Sequence, residues 1–292
     1  MIDHLNPVPN APLRVVVIGA GGFVGGAITA RLRSDDVSVD ALRHADLDLL
    51  APDAAQRLAG LLGPAISLVM VSARAPARTV AGLMENLRMV EPVCAALSTT
   101  PVAHLLYISS DAIYADDAHP VSEASPAAPS TLHGMMHAAR ELMLKSSTRA
   151  PVAFLRPTLI YGAADPHNGY GPNRFRREAA AGGPVQIFGE GEERRDHIAI
   201  EDVAELAQLI LFHRSHGALN AATGVSTSFC EIAHIVAKQY GVGVTSLPRS
   251  GPPPHLTHRY FDITACHKAF PRFRFTPLVK GLDRAKSPVS AS

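Results

Sequence analysis

Short apolar runs alternate along this chain with stretches of helical periodicity. Arg14-Val-Val-Val-Ile18, Val37-Ser-Val-Asp-Ala-Leu42, Ala65-Ile-Ser-Leu-Val-Met-Val71 and Ala103-His-Leu-Leu-Tyr-Ile108 are four such runs. Their β-branched, near-continuous apolar character is that of strands covered on both faces of a parallel sheet. Between them lie a helix opening around Ala27–Leu32, a turn into a helix at 46–58 with Asp53 as its cap, and a long helical pattern from about Thr79 to Leu97. This alternation predicts an α/β, Rossmann-type doubly wound parallel sheet, with its ligand at the carboxyl ends of the strands.

The division expected is a flexible leader at 1–12, a dinucleotide-binding domain at 13–165 completed by 196–222, a smaller substrate-binding lobe at 166–195 and 223–286, and a mobile tail at 287–292. The lobe should hold a basic helix at Asn173–Arg177, a strand at Val185–Phe188 and helices near 229–240 and 262–270. At 292 residues and 47% hydrophobic content, the chain can bury a large core. A net charge of +1 with interspersed signs gives no electrostatic case for nucleic acid or an anionic membrane. Cys94, Cys230 and Cys266 have neither disulfide nor metal-site spacing. The amino terminus lacks the pattern of a signal peptide, so a cytoplasmic location is the expectation, with the oligomeric state left open.

The first strand empties into Gly19-Ala-Gly-Gly22-Phe23-Val24-Gly25, a G-x-x-G-x-x-G turn at the start of a helix. Glycines let the backbone turn tightly, and unpaired helix amides suit a pyrophosphate. After the second strand, where NAD-binding folds place an acid, stand Arg43 and His44. A cation there suits a 2′-phosphate, so NADPH/NADP is the expected cofactor. Arg43 as a solvated loop residue is the alternative. The end of the third strand, Ser72-Ala73-Arg74-Ala75, uses small residues on either side of Arg74, where a cofactor would press against the backbone.

At Ser109-Ser110-Asp111-Ala112-Ile113-Tyr114 the chain resembles the extended branch of the short-chain dehydrogenase/reductases, which includes nucleotide-sugar epimerases and dehydratases. The resemblance extends through Gly19, Gly22 and Gly25, Asp46 as adenine-side acid, Asn86 on a helix, Arg156-Pro157-Thr158 under the nicotinamide, and the segment 194–204 returning to the sheet. It implies that Ser110, with Asp111 and Ala112 beside it, meets the substrate. Against the family's Tyr-x-x-x-Lys, however, this chain has His133 and His137, and it holds no such motif elsewhere.

A positioned acid/base is worth roughly 10²- to 10⁴-fold, and orientation of the reactants can supply more. Hydride transfer can therefore survive the loss if a proton comes from another source. The candidates are His133, Ser110 through a relay, and a phenol on the substrate itself. The third would suit a polycyclic aromatic ketone, and it implies similarity to atypical ketoreductases acting on angucyclinone-type aromatic polyketides in antibiotic biosynthesis. No metal site is expected from the two histidines, since neither a Glu between them nor a third ligand is evident. His137 is expected to face the cofactor. Tyr161, Tyr170, Phe175 and Phe188 are expected to wall an aromatic pocket. Arg194 and Arg195 stand where relatives hold a sugar-nucleotide diphosphate, or else pair with Asp196 and Glu201. A nucleotide-sugar epimerase or reductase, and a non-enzymatic NADP-binding sensor, are the alternative functions.

Overall fold

The structure is a computed structural model that describes residues 2–115, 120–249, 251 and 258–286. In chain order, β1 (Ile2–His4), β2 (Arg14–Ile18), α1 (Phe23–Ser34), β3 (Ser38–Leu42), α2 (Ala54–Ala59), β4 (Ile66–Met70), α3 (Val80–Thr99), β5 (His104–Ile108), α4 (Leu132–Ser146) and β6 (Val152–Pro157) build the first half. Then come β7 (Leu159–Tyr161), α5 (Pro172–Ala180), β8 (Val185–Phe188), β9 (Arg194–Ala199), α6 (Ile200–Phe212) and β10 (Ser215–Ala221). Last are β11 (Ser226–Ser228), α7 (Phe229–Tyr240), β12 (Val244–Leu247), α8 (Thr264–Ala269) and α9 (Leu278–Arg284).

The main sheet has the order β1-β10-β6-β5-β4-β2-β3, parallel throughout except at β1. Alternate residues of β2 explain its unbroken apolar run. Val15 and Val17 enter a core with α1 and α6, while Val16 and Ile18 enter the opposite core with α2, α3 and α4. The chain reverses its winding at β2, between β3 and β4, which opens a crevice at the carboxyl ends of the strands. A third core forms outside the sheet, where Phe175, Ile187, Phe229 and Ile232 bring together α5, β8 and α7.

The amino-terminal stretch departs from the expected flexible leader. Ile2–His4 pairs with β10 in antiparallel register, and Ile2 is buried in the main core. His4 is held at both ring nitrogens, to the Ser215 hydroxyl at 2.7 Å and the Ala269 carbonyl at 2.9 Å. The apolar Ile2 and a strand edge left open by β10 are what draw it in. Asp53 stands at the start of α2 without a side-chain capping bond. The tail expected at 287–292 lies outside the described residues.

Helix α4 begins at Thr131, whose hydroxyl accepts from the Gly134 amide at 3.1 Å. Gly134 permits a close approach, for a Cβ there would overlap the Ala112 carbonyl on the turn after β5. The helix then turns His137, Arg140 and Glu141 inward, all buried, with His133 one turn earlier on the same side. Glu141 binds Arg156 of β6 through two parallel bonds at 2.6 and 2.9 Å, and Arg156 also donates to the Tyr114 hydroxyl at 2.8 Å. Tyr114 in turn donates to Asn220 of β10 at 2.8 Å. This network ties α4 to two strands beneath the crevice.

Removing one partner of a buried ion pair strands the other charge. Glu141→Gln is therefore expected to lower stability by about 3–5 kcal/mol, measured as the urea unfolding free energy, whereas an exposed charge such as Glu190 changed to Gln should cost little.

Candidate active site

A cavity of about 1020 Å³ follows the carboxyl ends of β2, β4, β5 and β6. One end is the turn between β2 and α1. Gly25 lies so near this turn that a Cβ on it would overlap the Gly19 carbonyl. No side chain caps α1 and its first turn carries no acid, so its free amides face the cavity beside Gly19, Gly22, Phe23 and Val24. This cradle fits a dinucleotide pyrophosphate.

Arg43 and His44 line the cavity at the end of β3. Arg43 is not free of acids, however: Asp46 accepts from its Nε at 3.0 Å and from its amide at 2.9 Å. Asp46 itself lies outside the main cavity, its carboxyl held below the usual range chiefly by the Arg43 side chain. Ala73, Arg74 and Pro157 line the cavity. Asn86 does not, but acts behind it. It accepts from the Arg74 amide at 2.9 Å and donates to the Arg74 carbonyl at 3.0 Å, fixing the backbone that forms the wall.

The middle of the cavity brings together Ser110, Asp111, Ala112, His133 and His137. The Ser110 hydroxyl oxygen accepts from the Ala112 amide at 3.1 Å and lies 3.4 Å from Asp111 Oδ1. Burial pushes the Asp111 carboxyl up to about 6, opposed by Arg259, whose Nε lies 3.4 Å from Oδ2. The rings of His133 and His137 meet edge to face at 4.8 Å. Burial lowers the pKa of both, and His137 well below the ordinary value, with His133 and Arg140 adding to the effect. Both are neutral near pH 7. His137 Nδ1 is 2.7 Å from the phenol oxygen of Tyr107, a residue fully buried in β5.

On the far side, Tyr170 lines the cavity, but its hydroxyl accepts from the Phe188 amide at 3.0 Å. The rest of the expected aromatic wall is elsewhere. Phe175 and Tyr161 are buried in the outer core, and Phe188 stacks behind Tyr170. These rings bury more apolar surface against α7 and β9 than a solvent-filled pocket would allow. Arg195 also lies outside the cavity, paired with Glu193 at 2.5 Å, and Arg194 pairs with Glu231 at 3.1 Å. Neither contact is with the expected Asp196 or Glu201. Asp196 is taken instead by Thr223 and Thr158.

Sequence reasoning missed Asp165, Asn173 and His197 on this wall. His197 sits on β9 beside the expected Arg195, one alternation away, a signal available from strand periodicity. Among the described residues no cluster of His, Cys, Asp or Glu is arranged to hold a metal. No helix among them is long and apolar enough to cross a membrane.

Residues 15–222, more than half of the chain, match the family model described as the NAD dependent epimerase/dehydratase family. Solved structures share the fold at 18–22% identity. The UDP-glucose 4-epimerase of Thermus thermophilus, complexed with NAD, superposes with a TM-score of 0.80 at 22% identity, covering 94% of this chain and 100% of that one. The UDP-glucose 4-epimerase of Thermotoga maritima, with UDP-glucose, gives 0.83 at 19% identity over 94% and 97%. The UDP-glucuronic acid 4-epimerase of Bacillus cereus, with UDP-glucuronic acid and NAD, gives 0.81 at 18% identity over 94% and 98%.

Two outcomes follow from the geometry. Gly25→Ala forces α1 away from its turn at a cost of about 1–3 kcal/mol, and it is expected to weaken binding of a reduced nicotinamide dinucleotide about tenfold or more, read by calorimetry or by the fluorescence of the dinucleotide itself. Between about pH 4 and about 6 the folded chain keeps a proton on Asp111 that the unfolded chain has released. Stability therefore falls as pH rises through that window, by about 2–3 kcal/mol. Asp111→Asn should remove that part of the slope in thermal melts taken across the window.

Proposed function

Because the chain belongs to the NAD dependent epimerase/dehydratase family, we propose that it is an NADPH-dependent oxidoreductase that reduces the carbonyl of a phenol-bearing polycyclic aromatic ketone, of the angucyclinone-type polyketide class made in antibiotic biosynthesis. The observation that carries this reading is the set of side chains around the reacting position. Among the described residues no lysine lines the cavity, and the one tyrosine that does, Tyr170, uses its hydroxyl on Phe188. The two histidines are neutral, and Asp111 is engaged by Arg259.

A dinucleotide whose pyrophosphate is held at the glycine cradle would supply, from its reduced nicotinamide, the hydride for the carbonyl carbon. The chain's residues then have two tasks. Ser110, its oxygen fixed by the Ala112 amide, offers its O–H to the carbonyl oxygen and steadies the charge that develops there. His133 and His137 present uncharged surface that accommodates an aromatic ring system. The proton that completes the alcohol passes from the neighbouring phenol of the substrate to the carbonyl oxygen, and solvent restores the phenol. Arg43, exposed at the cavity edge and bonded to Asp46 through its Nε, is the group offered through its terminal nitrogens to a 2′-phosphate, which supports NADPH over NADH.

A second reading, a nucleotide-sugar epimerase or reductase, is favoured by the named activities of the solved relatives. Set against it are the pairing of Arg194 and Arg195 with acids and the lack of a tyrosine to exchange a proton with a sugar alcohol. The deciding measurement is NADPH consumption at 340 nm with phenolic polycyclic ketones, their methyl ethers and nucleotide sugars. Turnover of the phenols with at least a hundredfold loss on methylation is expected. Asp111→Asn should cost less than tenfold on the phenol. Undiminished turnover of the methyl ether, a thousandfold loss in D111N, or turnover of nucleotide sugars alone would overturn the reading.

A further inference from the structure

Behind His137 lies an arrangement that neither the family match nor the proposed reaction assigns. Tyr107 is wholly buried, and burial pushes its phenol up to about 12, so it keeps its proton. Arg140, one turn after His137 on α4, lies over the Tyr107 ring with its guanidinium carbon 5.5 Å from the ring centre. Its Nη2 is anchored on the Ser72 carbonyl at 2.7 Å. Among the described residues the phenol oxygen has one hydrogen-bond partner, His137 Nδ1 at 2.7 Å. A buried O–H left without an acceptor is costly, so the phenol donates its proton to Nδ1. With Nδ1 occupied as an acceptor, neutral His137 must carry its own proton on Nε2.

We propose that Tyr107, held by Arg140, is a positioning residue that locks His137 in the Nε2–H tautomer, so that this site presents one fixed neutral donor to an oxygen acceptor of the bound ligand. Among the described residues Nε2 has no protein partner, and His137 lines the cavity while being nine-tenths buried. Imidazole with a free Nδ1–H would instead turn a lone pair toward the ligand and reject the same oxygen. The titratable and charged groups facing His137 are His133 and Arg140 from its own helix and Tyr107 from β5, with Glu141 acting on Tyr107. None of them favours a cation on the ring. The acceptor is a hydroxyl or carbonyl oxygen, and it belongs either to the dinucleotide or to the ketone. The inference rests on the reading of the cavity as a cofactor and ketone site.

Nitrogen-15 NMR of histidine-labelled protein tests the tautomer directly, with His137→Gln assigning the signal among 14 histidines. The expected spectrum shows His137 neutral and protonated on Nε2 at pH 7 and above. In Tyr107→Phe, which keeps the ring, the Nδ1–H form should appear. Either the Kd for NADPH or the KM for the ketone at saturating NADPH should then rise about tenfold, with kcat changed less. A change in Kd assigns the acceptor to the dinucleotide, and a change in KM alone assigns it to the ketone. His137→Gln, which retains a donor, should bind within a few-fold of wild type, and His137→Leu should not. A wild-type His137 protonated on Nδ1 overturns the inference, and that result needs no variant to fold. So does Tyr107→Phe that shifts the tautomer and leaves both Kd and KM unchanged. A protein with the locked tautomer and tight NADPH binding that reduces no ketone would sink the proposed reaction and leave this inference standing.

Discussion

The contact of α1 with the turn after β2 is the constraint from which the site is built. Gly25 comes against the Gly19 carbonyl with no room for a Cβ, so the helix starts at the very edge of the sheet rather than a turn above it. Its uncapped amides are thereby left at the crevice where the sheet reverses its winding. Ser72, at the end of the neighbouring β4, stands against the same turn, and its carbonyl is the anchor of Arg140. One backbone approach thus couples the dinucleotide cradle to the helix that carries both histidines. Displacing α1 would loosen the cradle and the far wall together.

Helix α4 divides its inner face between two kinds of electrostatics. Its later part, Glu141 with Arg156, holds opposite charges in a dry, doubly bonded pair that fixes the helix against β6. Its earlier part, at the cavity, carries no charge at all, because burial keeps His133 and His137 neutral and Arg140 behind them opposes protonation. Arg140 is spent on Ser72 and on the face of Tyr107 rather than on the ligand. The cavity centre is consequently a place of oriented neutral donors. Such a place stabilises developing negative charge through fixed dipoles without itself giving up a proton.

Much of this was legible in the sequence where a local rule governs. The β2 run is apolar because it is covered on both faces, and the glycines around Gly25 are required by a contact only a few residues away in the chain. Side chains whose partners are distant were the ones misjudged. Phe175 and Tyr161 are aromatic residues near a loop, a pattern common to pocket walls and to small satellite cores, and only the arrival of α7 and α9 decides for the core. Arg195 is a cation in the right region whose acid, Glu193, lies two residues away on the same strand approach. Ile2 gains its burial from β10, more than 200 residues on, and no local pattern signals it. The Tyr107–His137–Arg140 set spans a strand and a helix, and within each element its members look like ordinary core.

The two halves of the cavity centre bear on where a proton can come from. Asp111 is the acid nearest Ser110, and its carboxyl at about 6 is matched to general catalysis near neutral pH. Its two oxygens are nevertheless committed: Oδ1 faces Ser110 at 3.4 Å, a weak bond, and Oδ2 faces Arg259 at 3.4 Å, while Arg259 also holds the Asp111 carbonyl at 2.8 Å. A proton leaving through Ser110 would have to cross that long bond and leave a carboxylate stabilised chiefly by Arg259. A phenol already hydrogen-bonded to the carbonyl needs no such path, and it can supply the roughly 10²- to 10⁴-fold that a protein acid would otherwise contribute. On the proposed reading, a cavity that supplies orientation and a steadying hydroxyl leaves proton delivery to its ligand, which suits a ketone with an acidic neighbour rather than a sugar alcohol without one.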